Sequence, residues 1–159
     1  MTKLFISHSS READKARRLG SDLQVAGFSV WLDEWNIGIG ECIPTKISES
    51  IDSCRFLVLM LSSHAAESEW VNREWKAAYW AEIERKQLIV LPVLIGSCSI
   101  PTLIRTRRYC DLRSDWSEGV KQLSSWVHEY LRADVLQDFY ALAQIVARSR
   151  SGFVAAGTK

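Results

Sequence analysis

An excess of charge of one sign is missing from this 159-residue chain: 20 Lys and Arg stand against 19 Asp and Glu, a formal net charge of +1. Bulk attraction to nucleic acid or to an anionic membrane surface is therefore not expected. Cysteine is sparse and scattered. Cys42, Cys54, Cys98 and Cys110 form no CxxC pair and no cluster with histidine, which argues against a zinc site and for free thiols buried beside apolar runs. The apolar runs are far too short to span a bilayer. The opening Met-Thr-Lys leads straight into a strand-like segment with no signal peptide, so a soluble, cytoplasmic protein is expected. A Walker sequence is absent. Gly38-Ile39-Gly40 lacks the third glycine of a dinucleotide fingerprint and follows the second strand rather than the first, so a phosphate cradle is not expected there. There is no internal repeat and no low-complexity block.

Hydrophobic residues make up 47% of the chain, enough for the core of one domain. Lys3 to Ser7 is a short apolar run that predicts a buried strand. Ser9-Ser10-Arg11-Glu12 has the spacing of a capping box. The helix after it carries Ala13, Ala16, Leu19 and Leu23 on one face and stops at Gly27. Phe28 to Leu32 predicts a second strand, followed by a loop from Asp33 to Ile43 and a helix with Ile43, Ile47 and Ile51 at four-residue spacing. Phe56 to Leu61 is continuously apolar, as a central parallel strand covered on both faces requires. A helix over about 68–86 and a strand from Leu88 to Ile95 follow; Pro92 marks an edge or an irregularity in that ladder. A short strand near Cys110 and a cap-like Asp115-Trp116-Ser117-Glu118 precede a helix with Val120, Leu123, Val127 and Leu131 inward. Val135, Phe139, Leu142 and Val146 predict one more amphipathic helix to about Arg148, which either packs on the core or serves a partner. The last residues are weakly patterned and expected to fray.

Five alternations of strand and helix imply an α/β fold: a three-layer, flavodoxin-like, five-stranded parallel sheet with helices on both faces and right-handed crossovers. Residues 1–131 would form the domain, and residues 132–159 a C-terminal amphipathic helix and tail. Functional groups in such folds gather at the carboxyl ends of the strands. Here those ends are Ser7-His8-Ser9, Asp33 onward, Ser62-Ser63-His64 and Gly96.

Glu74 is the most informative residue. On its helix the neighbours three and four residues away are Trp70, Val71, Ala77 and Ala78, none able to pair with a carboxylate. Glu69, by contrast, has Arg73, and Glu82 has Arg85 and Lys86. An acid on an apolar stripe beside a tryptophan suggests a desolvated functional group, or else a carboxylate at the core rim bonded to a group from elsewhere. His8, His64 and His128 share no ligand spacing, so no metal site is expected. Adjacent Ser62, Ser63 and His64 cannot serve as one another's base, and no nucleophile-elbow sequence supports a triad. Trp35, in a polar loop, can stack on a flat ligand or plug an interface.

Together these segments resemble the TIR (Toll/interleukin-1 receptor homology) domain family. Leu4-Phe5-Ile6-Ser7-His8-Ser9 is similar to its first strand, and Ala26-Gly27-Phe28-Ser29-Val30-Trp31-Leu32-Asp33 to its second. The loop from Asp33 to Ile43 resembles the family's mobile loop. Ser50-Ile51-Asp52-Ser53-Cys54-Arg55 leading into Leu61-Ser62 resembles a third block, and Ser68-Glu69-Trp70-Val71-Asn72-Arg73-Glu74 the SxWxxxE block. Asp111-Leu112-Arg113 resembles a short motif of bacterial members. The resemblance covers about residues 1–131.

It implies an enzyme that splits the nicotinamide–ribose bond of NAD+, giving nicotinamide and ADP-ribose or a cyclic isomer, in bacterial antiviral or stress defence. Glu74 would be the catalytic carboxylate and Trp70 would line the pocket. Ser7, His8, Ser9, Asp33 and Trp35 would be substrate contacts. NAD+ is then a substrate, and no cofactor is implied. The complete site would be shared between two self-associating protomers, with a sensor or effector protein as a further partner. The alternative is a non-catalytic adaptor working through TIR–TIR contacts around Ile37 to Ile43. Two positions depart from the family pattern: Ser9 and Ser10 stand where a basic residue is frequent, and the loop after Asp33 lacks the lysine some members carry.

Overall fold

The computed structural model describes residues 2–32, 54–63, 85, 88–98 and 108–154, with side chains through residue 145. The chain divides into two compact units, Met1–Gln122 and Leu123–Lys159. The first holds the sheet. Its strands are β1 (Lys3–Ser7), β2 (Ser29–Leu32), β3 (Phe56–Leu61), β4 (Ile89–Leu94) and β5 (Cys110–Asp111). They form one five-stranded sheet in the order β2-β1-β3-β4-β5, and every pair is parallel. This is the expected flavodoxin-like α/β arrangement. The helices expected between Pro44 and Asp52 and around Glu74 fall outside the described residues.

Burial follows position in the sheet. All six residues of β3 are buried, so the sheet is covered on both faces at its centre, as an unbroken apolar run predicts. Leu4, Phe5 and Ile6 of β1 are equally buried, whereas Trp31 of the edge strand β2 is 46% exposed. β4 is an interior strand, so Pro92 does not mark a sheet edge. Its nitrogen is nevertheless accommodated by the strand's parity. Ile89 and Ile95 donate toward the β3 side, to Arg55 O and Leu61 O, while Leu94 O accepts from Leu112 on the β5 side. Pro92 therefore turns its proton-free nitrogen toward β5, whose ladder begins only at Val93 against Cys110. No donor is needed there.

The helix α1 (Ala13–Val25) is preceded by a 3₁₀ turn, Ser10–Glu12. The predicted capping box does not form: the Ser9 side chain makes no cap bond, and Ser9 instead accepts from Glu12 N–H through its carbonyl at 2.8 Å. Glu12 turns inward and pairs with Lys15, which is why its carboxylate does not reach back to the cap. At the other end Gly27 takes φ 95°. Its N–H donates to Gln24 O and the Phe28 N–H to Leu23 O, the paired bonds of a Schellman stop. Gly20 lets α1 close on β2, since a Cβ there would collide with Leu32 Cδ1. α1 is also tied to the start of the last helix. Trp116 Nε1 donates to Asp22 Oδ2 at 2.7 Å, and the Arg18 guanidinium sits 4.4 Å from the Trp116 ring centre.

The last helix, α2 (Trp116–Val154), runs 39 residues. Asp115 caps it as expected, accepting from Glu118 N–H through Oδ1 at 3.0 Å. Two helices were expected here, and one continuous helix is found. No glycine or proline lies between Val120 and Ser151, so nothing in the backbone chemistry interrupts it. Of the expected inward residues Leu123 and Val127 are buried. Val135, Leu136, Phe139, Tyr140, Leu142 and Ile145 are 57 to 67% exposed. No helix among the described residues is long and apolar enough to cross a membrane.

Candidate functional site

Buried polar side chains are costly unless satisfied, so where they collect is informative. Among the described residues there are five: Ser7 (2% exposed), His8 (4%), Glu12 (7%), Ser62 (2%) and Ser124 (8%). Four of the five lie where strands end at their carboxyl edge. Ser7 and His8 close β1, Ser62 follows β3, and Glu12 comes from the turn leaving β1. The chain turns to opposite sides of β1 for β2 and for β3, so strand order reverses there. The crevice outside such a reversal is where open α/β sheets bind ligands.

Further contacts tie this edge together. Lys15 Nζ lies 3.2 Å from Glu12 Oε2 and donates to Ile95 O, just past β4, at 3.4 Å. The turn after β1 is thereby pinned to the end of β4, two strands away. Gly96 passes close to Ser62: a Cβ on it would come within 3.3 Å of Ser62 Cβ. The edge thus offers hydroxyls, an imidazole and a neutralised acid–base pair. These groups can hydrogen-bond a ribose or an amide, and none of them is a strong nucleophile.

Of the residues singled out in the sequence, Ser7, His8 and Ser9 stand at this edge, with Ser9 only half-buried. Glu74, Trp70, Asp33 and Trp35 lie outside the described residues, as do His64 and the loop around Ile37 to Ile43. Glu12 and Lys15 were missed. Their signal was present: Glu12 stands four residues before Ala16 on the inward face of α1, with a lysine three residues on, but the capping-box spacing claimed it first. No group of three metal-binding side chains occurs among the described residues. Cys54, Cys98 and Cys110 form no disulfide, and the Cys110 thiol donates to Gly119 O at 3.1 Å. Burial pushes the Cys98 thiol up, and the nearby Arg113 charge partly opposes this.

The Asp111-Leu112-Arg113 motif has a structural role. Arg113 donates its backbone N–H and Nε to Asp111 Oδ1 at 3.0 and 2.9 Å, and Nη2 to Oδ2 at 2.7 Å. Leu112 is buried and continues the ladder, its N–H donating to Leu94 O at 2.9 Å. The arginine bonds hold the Asp111 carboxyl down, to about 2.

The parallel order, the strand-end cluster and the motif blocks converge on one family. A family profile described as the TIR domain matches residues 4–124. This chain belongs to the TIR domain family. Among curated relatives, it is 31% identical over 91 residues to the 2′ cyclic ADP-D-ribose synthase AbTIR of Acinetobacter baumannii, a stretch covering 57% of this chain and 34% of that protein. It is equally 31% identical over 91 residues to the NAD(+) hydrolase PdTIR of Paracoccus denitrificans, covering 57% of this chain and 30% of that one. The chain therefore spans about a third of the length of these relatives. In fold it is similar to the TIR domain of the Toll-related receptor TRR-2 from Hydra magnipapillata, with TM-score 0.62, 13% identity, and 81% and 95% of the two chains covered. It is also similar to the TIR domains of the activated Roq1 resistosome, with TM-score 0.56, 19% identity, and 81% and 98% covered.

Proposed function

We propose that this chain splits the nicotinamide–ribose bond of NAD+, with Glu74 as the catalytic carboxylate. The observation that carries the reading is the likeness to relatives named as NAD(+) hydrolase and cyclic ADP-ribose synthase, in a chain whose family match spans the SxWxxxE block from Ser68 to Glu74. The chemistry suits the residues. Departure of neutral nicotinamide with the bonding electron pair leaves an oxocarbenium-like ribose, whose positive charge a fixed carboxylate stabilises. A low dielectric around that carboxylate would strengthen the effect. Attack by water then gives ADP-ribose and a proton, while attack by a hydroxyl of the same molecule gives a cyclic isomer.

Trp70 lines the pocket in this reading, and Asp33 and Trp35 contact the nucleotide from the second strand's end. Ser7, His8 and Ser9 contact it from the end of β1, which is supported by their place at the switch point. The site is completed by a second protomer, so activity depends on self-association. The setting is cytoplasmic bacterial defence, triggered through a sensor or effector protein.

Nicotinamide release from NAD+ tests this at high protein concentration, wild type beside Glu74→Gln, with products resolved by chromatography. The amide variant is expected to keep its fold and lose turnover by about a hundredfold or more. Unchanged release from a folded Glu74→Gln protein would remove the glutamate's role. Absence of release from both, even when assembly is forced, would overturn the NAD reading in favour of an adaptor.

A further inference from the structure

A closed circuit of bonds joins the carboxyl ends of β1, β3 and β4. Ser9 O accepts from the Glu12 N–H at 2.8 Å. The Glu12 carboxylate holds the Lys15 ammonium at 3.2 Å, and the same ammonium donates to Ile95 O at 3.4 Å. Ile95 N–H donates in turn to Leu61 O at 2.9 Å. The ladder between β3 and β1, with Ser7 beside Leu59, returns the circuit to its start. Glu12 and Lys15 enter it through their side chains, and the other joints are backbone. One ammonium therefore links the turn after β1 to β4, two strands that are not neighbours in the sheet.

We propose that Lys15 is a positioning residue for the NAD+ site: by tying the β1 turn to the end of β4 it fixes the spacing of Ser7, His8 and Ser62. The inference rests on the NAD+ reading of this crevice. Charge balance alone does not account for the arrangement. Neutralising Glu12 takes one contact, and Lys15 makes a second, to a carbonyl 80 residues away in the chain. Gly96 makes a fixed spacing necessary. It passes so close to Ser62 that a Cβ on it would lie 3.3 Å from Ser62 Cβ, so no side chain there props the ends of β3 and β4 apart. Binding groups work best when surrounding bonds hold them to within about 0.5 Å. Lys15 supplies such bonds from a half-exposed position, and its removal opens no hole beneath the buried β3.

Nicotinamide release by the full chain, over a range of NAD+ concentrations, is measured for wild type, Lys15→Met and the double variant Glu12→Gln with Lys15→Met. The double variant separates positioning from stability. It removes the uncompensated acid and still lacks the donor to Ile95 O. Lys15→Met is expected to raise KM about fivefold or more, with kcat within about twofold. The double variant should keep the raised KM while its denaturation midpoint recovers. A KM that returns to the wild-type value with the midpoint overturns the proposal, as does an unchanged KM in Lys15→Met. Amide hydrogen exchange on the same proteins reads the tie without turnover. Ile95 N–H should exchange about fivefold or more faster in both variants, and Val58 and Leu59 should match wild type in the double variant. Unchanged exchange at Ile95 overturns the proposal whether or not NAD+ is split. Faster exchange at Ile95 in a protein whose wild type releases no nicotinamide upholds the tie and counts against the NAD+ reading instead.

Discussion

Arg113 grips Asp111 through two guanidinium nitrogens and its own backbone N–H, at 2.7 to 3.0 Å. The two residues bracket Leu112, whose N–H closes the ladder to β4. The carboxyl of Asp111 is held down to about 2, first by the arginine side-chain bonds. A carboxyl lowered on folding contributes stability above its unfolded value near 4 and loses that contribution as pH falls toward 2. Urea melts of wild type and Asp111→Asn should differ by a constant amount above about pH 5 and converge between about pH 4 and 2. A difference that persists undiminished to pH 2 would refute the pairing.

Two glycines should respond differently to alanine. At Gly119 an added Cβ meets Leu112 Cδ2 and lies 2.9 Å from the carbonyl oxygen of Asp111, and backbone cannot step aside. Gly119→Ala should cost about 1–3 kcal/mol by overpacking. At Gly20 the nearest obstacle is the tip of the Leu32 side chain, which can turn away. The helix-propensity gain of alanine, about 1 kcal/mol, then leaves Gly20→Ala near neutral. Thermal unfolding of both variants checks the order, which must not invert.

Lys15 neutralises a buried acid. Glu12 has only 9% of its side chain exposed while that of Lys15 is 47% exposed, so the lysine loses little solvent and the glutamate much. Lys15→Met should leave the carboxylate uncompensated and cost about 1–2 kcal/mol, less than a fully buried pair because the cation is half in water. Glu12→Gln in the same background should recover most of that loss. Chemical denaturation of the two single variants and the double variant measures the coupling. Additive effects would mean that the 3.2 Å contact carries no energy.

Strands were the most legible part of this sequence. β3 was readable to the residue, because a run of only six successive apolar side chains is too short for a typical helix and fits a strand buried on both faces. β2 and β4 were readable to within a residue at each end. Pro92 was ambiguous because its cost depends on which neighbour its nitrogen faces, and parity relative to β5 is set only in three dimensions. Ser9 to Glu12 misled for a similar reason. Capping-box spacing records which residues could bond, and the competing partner, Lys15, wins only once α1 turns Glu12 inward.

In the candidate site, Ser7, His8 and Ser9 could be located because strand ends follow from apolar periodicity. Glu12 escaped notice, since a buried acid on an otherwise apolar face reads as surface until its lysine is placed. The tail shows the complementary limit. Its periodicity reported an apolar face correctly, but periodicity does not say what covers it, and Phe139 and Leu142 are in solvent.

Pro92 also bears on how this protein avoids misassembly. An exposed strand invites another chain to extend the sheet by hydrogen bonding along its edge. A strand laid beside β4 upstream of the Val93 and Cys110 pairing would meet, at Pro92, a ring nitrogen with no proton to offer. The ladder would break at its first rung, so pairing on this side of β4 can run only downstream, from Val93.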